Sequence, residues 1–137
     1  MISGQELRKV AAARAVKDVA FMEKDYAITW ALKAIYSNKD LSNMLIFKGG
    51  TCLSKIYGEN YRLSEDLDFS TPVNRQPTPE WFEQHLSTAF EQAKMEGGPD
   101  LRVKTGDTHA TPGHIIFQIQ YNATLGHAGR LKLDVSL

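Results

Sequence analysis

Three aspartates carry the chemical interest of this chain. In Arg62-Leu-Ser64-Glu-Asp66-Leu-Asp68-Phe69, acidic residues alternate with apolar ones. On a strand, that alternation sends Asp66 and Asp68 to one face and Leu67 and Phe69 to the other. Two carboxylates so placed suit a hard divalent cation, and Mg²⁺ in particular is held by one or two carboxylates together with substrate phosphates. A solvated acidic edge shows the same pattern. Asp134 is a third carboxylate, on the polar side of the alternating segment Leu131 to Ser136. If that segment lies beside the Asp66/Asp68 strand, three acids meet at one edge of a sheet. Two metal ions bridged there, roughly 3.5–4 Å apart, would activate an attacking hydroxyl and stabilise a leaving pyrophosphate. A lone strand aspartate is otherwise exposed or paired with a neighbour such as Lys132.

A second feature adds to the first. Phe47-Lys48-Gly49-Gly50-Thr51 puts two glycines between a strand and a helix, where backbone can approach a ligand and the helix N-terminus offers free N–H groups to an anion. The Thr51 hydroxyl can bond a phosphate oxygen. The same glycines also suit a strand-to-helix turn that needs them only for its dihedral angles. The Walker pattern G-x-x-x-x-G-K-[ST] is absent, which argues against a P-loop. Lys48, Lys55 and Arg62 flank this segment and would balance triphosphate charge, or serve as solubilising surface charges. Cys52 reads as a small packing residue. His85, His109, His114 and His127 lack metal-ligand spacing and read as surface or loop residues, while Trp30 and Trp81 read as core.

These residues need elements to position them. Ser3-Gly-Gln-Glu6 has capping-box spacing ahead of an Ala-rich helical run. From Val19 to Tyr36, apolar residues recur at spacings of three, four and seven, which predicts an amphipathic helix ended by Asn38 and Asp40. Met44 to Phe47 reads as a buried strand, Thr51 to Tyr57 as a short helix, and Leu67 to Ser70 as a strand. Thr78-Pro79-Glu80 offers an N-cap, a proline at the first helical position and an acid in the first turn, so a helix should run from there to Gly97-Gly98. Leu101 to Thr105, His114 to Asn122 and Arg130 to Leu137 complete an antiparallel meander. The class is α+β, with a mixed, largely antiparallel sheet and flanking helices.

Composition bounds the rest. With 137 residues, 42% hydrophobic, the chain has the material of one domain. No apolar run approaches the roughly 18 residues of a membrane span, and Met1 to Lys17 lacks the apolar centre of a secretory signal. With a single Cys, these features predict a cytoplasmic protein without membrane contact. Net charge is zero, which argues against a non-specific nucleic-acid coat. The balance is uneven: residues 1–60 carry nine basic and six acidic groups, residues 61–100 three and eight, and residues 101–137 four and two. Glu65, Asp66 and Asp68 crowd the acidic middle, where their repulsion calls for compensation.

Together, Gly49-Gly50-Thr51, Asp66-Leu67-Asp68-Phe69 and an aspartate on a later strand resemble the nucleotidyltransferase superfamily with a DNA polymerase beta-like fold. Phe47 through Tyr57, Arg62 through Phe69 and Glu23-Lys-Asp-Tyr26 are similar to its AbiEii/AbiGii toxin branch, over roughly residues 20 to 137. The resemblance implies a metal-dependent enzyme of a toxin-antitoxin or phage-defence system, moving a nucleoside monophosphate from an NTP to a hydroxyl of an RNA such as tRNA, or of a protein. It implies one or two Mg²⁺ ions on Asp66, Asp68 and Asp134, with Asp134 as base. It also implies a nucleotide site on Lys48, Gly49, Gly50, Thr51, Arg62 and Ser64, with Gly50 and Thr51 at the phosphates. A cognate antitoxin is an expected partner, and the chain is expected to be the N-terminal part of a longer protein. The alternative is a catalytically silent module of the same fold that binds a nucleotide or a partner.

Overall fold

The computed structural model describes residues 3–5, 19–48, 66–72, 77–122 and 128–137. Its elements are helix α1 (Val19–Ser37), helix α2 (Lys39–Met44), strand β1 (Ile46–Lys48), strand β2 (Asp66–Ser70), helix α3 (Pro79–Met95), and strands β3 (Leu101–Val103), β4 (His109–Ala110), β5 (His114–Asn122) and β6 (Ala128–Ser136). The helix expected from Ser3 onward, apart from helical residues 4–5, and the one expected over Thr51 to Tyr57 lie outside the described residues.

Among the described residues, the strands form one sheet in the order β1-β2-β6-β5-β3, with β4 also on β5. Its pairings are antiparallel except β2 with β6, which run parallel. Parallel neighbours need a long crossover, and here it includes α3 and the β3-to-β5 strands. The sheet is thus mixed and largely antiparallel, as expected, and β3, β5 and β6 are the three strands of the expected meander.

Alternation along each strand divides the sheet into two faces. Leu67, Phe69, Phe117, Ile119, Leu131, Leu133 and Val135 are buried on one of them, against Ile28, Ile35, Phe82, Leu86 and Phe90 of the helices. Full burial of such a side chain is worth about 1.5–3 kcal/mol, so this layer holds the fold together. Lys48, Asp66, Asp68, Lys132 and Asp134 project from the other face, where they are half-buried or exposed.

Helix α3 has the ends its sequence announces. Thr78 caps it, its Oγ accepting from Trp81 N at 3.1 Å, and Pro79 occupies the first helical position. At the other end, Gly98 N donates to Ala93 O at 2.9 Å and Gly97 N to Lys94 O at 3.1 Å. That pair of bonds closes a Schellman motif, with Gly97 at φ 98° in the left-handed region that favours glycine. Trp81 and Trp30 are half-buried against the core.

The structure corrects two readings near β1. Asn38 does not simply end α1; its side chain accepts from Leu41 N at 3.1 Å and so starts a new helix, α2. Met44 therefore closes a helix, Leu45 is its C-cap, and the strand begins at Ile46 at the edge of the sheet, where Ile46 is 56% exposed. The apolar run Met44 to Phe47 reflects burial of Met44 and Leu45 at a helix end, not a buried strand.

Candidate functional site

Sheet register brings the chemistry-bearing residues together. Lys48 of β1 is opposite Asp68 of β2, and Asp68 is opposite Asp134 of β6. Paired residues project to the same face, so a lysine and two aspartates form one row across three strands, each about 4.8 Å from the next. Asp66 shares the face but lies two residues back along β2, opposite Lys132. The row beyond Asp68 holds Ser70, Ser136 and His114.

Two side-chain bonds tie these rows together. Lys48 Nζ donates to Ser136 Oγ at 2.9 Å, and His114 Nδ1 lies 3.0 Å from Asp134 Oδ1. His114 is the residue that spacing along the chain misses: it is an exposed strand residue, as expected, but the β5–β6 register sets it beside Asp134, twenty positions away.

The electrostatics single out Asp68. Its pKa is raised, first by burial and then by the charges of Asp134 and Asp66, while Lys48 and Lys132 pull it down. The fold thus holds carboxylates side by side at an electrostatic cost that a cation would relieve. Among the described residues, no three His, Cys, Asp or Glu side chains are grouped closely enough to hold one metal ion. The donor set that fits is therefore the register pair Asp68 and Asp134, and two carboxylates completed by substrate phosphates are the usual setting for Mg²⁺. Asp66 stands one step away, beside Lys132. Gly49, Gly50, Thr51, Arg62 and Ser64 lie outside the described residues, as does Cys52; Lys48, which leads into that segment, is exposed on the acidic row.

A mixed sheet with helices packed on one face is consistent with a nucleotidyltransferase-type fold. The chain belongs to the family described as the nucleotidyl transferase AbiEii toxin of type IV toxin-antitoxin systems, whose model matches residues 30–137. No curated protein matches the chain. Membership makes nucleotidyl transfer the activity of the family, and the toxin role implies an antitoxin as its partner. Among the described residues, no helix is long and apolar enough to cross a membrane.

Proposed function

We propose that this protein moves a nucleoside monophosphate from an NTP to a hydroxyl of an RNA such as tRNA, or of a protein, on the polar face of its sheet. The observation that carries the reading is the parallel register of Asp68 with Asp134 in a chain of this family. In the reaction, the acceptor oxygen bonds to the α-phosphorus, the bond between that phosphorus and the bridging oxygen to the β-phosphate breaks, and pyrophosphate leaves. Asp134 takes the hydroxyl proton. Asp68 and Asp134, with Asp66 behind them, would hold one or two Mg²⁺ ions. When bound, such ions polarise the phosphoryl oxygens and stabilise charge on the leaving pyrophosphate.

The remaining roles belong to the chain itself. Lys48, held over the row by Ser136, supplies positive charge for the triphosphate beside the carboxylates, as does Lys132 opposite Asp66. Gly49, Gly50, Thr51, Arg62 and Ser64 complete the nucleotide site in this reading, with backbone N–H groups and hydroxyls for the phosphates. The acceptor is bound locally rather than along an extended basic surface, in keeping with a net charge of zero.

The test is transfer of label from each of four α-labelled NTPs to cellular RNA and protein fractions, with Mg²⁺ and with EDTA. Metal-dependent labelling of one fraction is expected. Calorimetry should show tighter NTP binding with Mg²⁺ than without it. No labelling from any NTP, with metal-dependent NTP binding intact, would favour the catalytically silent module.

A further inference from the structure

We propose that His114 is a positioning residue for Asp134, fixing one oxygen of that carboxylate so that the other is presented to a divalent cation. The inference deepens the proposed function and rests on the reading of Asp68 and Asp134 as the cation-holding pair.

The geometry is specific. His114 opens β5 and pairs in register with Ser136, while Asp134 pairs with Ile116, so the imidazole reaches Asp134 diagonally across the two strands. The backbone of His114 is fixed: its carbonyl accepts from Thr111 N at 2.8 Å, and the adjacent Gly113 carbonyl accepts from Leu137 N at 3.0 Å. A carboxylate oxygen can only accept, so the 3.0 Å contact requires the proton on Nδ1. A neutral imidazole meets that requirement and leaves the negative charge of Asp134 in place.

The bond restricts rotation of the carboxylate about its last torsion. A side chain already held in one orientation loses less freedom when it takes up a ligand, and carboxylates that ligate metals are commonly oriented by such hydrogen bonds. Asp134 is bonded at one oxygen to an imidazole, whereas its neighbour in the row, Asp68, is half-buried and faces the charges of Asp134 and Asp66. The pair would therefore comprise two half-buried carboxylates, one of them tethered by an imidazole.

Mn²⁺ tests the inference directly, as a paramagnetic cation that favours the same oxygen ligands as Mg²⁺. Its affinity for the chain is measured by electron paramagnetic resonance on wild type, H114A, H114N and D68N, with thermal melting run beside each. H114A should weaken Mn²⁺ binding about 10- to 100-fold, the range found when such supporting bonds are removed. H114N, whose amide nitrogen can occupy the place of Nδ1, should restore most of that loss. H114A binding within about twofold of wild type, or H114N binding as poorly as H114A, would overturn the positioning role. D68N separates this outcome from failure of the site itself. If D68N loses Mn²⁺ while H114A retains it, only the positioning role fails; if D68N binds as wild type does, the cation is not on this pair and both readings fall.

Discussion

The two faces of the sheet use the same strands under opposite demands. In β2, Leu67 and Phe69 are fully buried against the helices, while Asp66 and Asp68 alternate with them on the polar face. Strand β6 repeats the division with Leu133 and Val135 on one side and Lys132 and Asp134 on the other. The apolar face gains from every contact it makes. The polar face carries a carboxylate whose ionised form is disfavoured by burial and by two like charges. Burial and charge are therefore separated here by a shift of one residue along a strand, and substitutions one position apart should have unrelated consequences.

The largest expected effect comes from Asp68→Asn. The substitution keeps side-chain size and removes a charge that Asp134 and Asp66 oppose, so the melting temperature should hold or rise. Transfer of labelled nucleotide should fall by on the order of 10³-fold, since several kcal/mol of charge stabilisation are lost. A variant that loses activity only because it unfolds would collapse the distinction between the faces.

Phe117→Ala reverses the pattern. Phe117 is fully buried and lies opposite Leu133 in register, with its ring 5.9 Å from that of Phe82. Its truncation should cost about 3–5 kcal/mol in chemical denaturation, while the Mn²⁺ affinity of the folded fraction stays near wild type. A large affinity change would mean that the core sets the carboxylate geometry more tightly than the division of faces implies.

Gly98→Ala probes the helical layer alone. An added Cβ would sit 2.7 Å from the Trp30 side chain and 2.9 Å from the Ala93 carbonyl oxygen, which is backbone and cannot swing aside. Overpacking of this kind typically costs about 1–3 kcal/mol. The loss should appear in thermal melting, with no change in nucleotide binding.

The same contrast explains what could be read from the residues alone. Helix α3 was legible at both ends because Thr78-Pro79 and Gly97-Gly98 act within a turn of chain. The shared face of Asp66 and Asp68 follows from the period of a strand. Local signals fail where one residue type serves two purposes: Asn38 reads as a helix end and is the cap of the next helix. They fail again where register decides. The parallel pairing of β2 with β6 could be stated only as a condition, and the contact of His114 with Asp134 depends on the alignment of β5 with β6. Strand β4, at two residues, is too short to show a period.

The smallest effect sharpens the comparison because it concerns a carboxylate shifted in the opposite direction from Asp68. Asp100, just ahead of β3, accepts from Arg102 Nε at 3.2 Å and from an Arg102 terminal nitrogen at 3.0 Å, with Lys94 Nζ 3.7 Å away. The Arg102 hydrogen bonds hold its pKa below the ordinary 3.8 against the opposing effect of burial, with the charges of Arg102 and Lys94 adding to the fall. Folded Asp100 thus gives up its proton at lower pH than the unfolded chain does. Its contribution to stability is complete above the ordinary carboxylate value and is lost as pH falls through the lower folded value. Arg102 is exposed, so solvent and salt screen the pair and the effect is modest. Wild type should melt slightly above Arg102→Ala at about pH 6, and the gap should close by about pH 2 and narrow at high salt. A gap that persists in acid would mean that the Arg102 side chain acts through packing rather than charge.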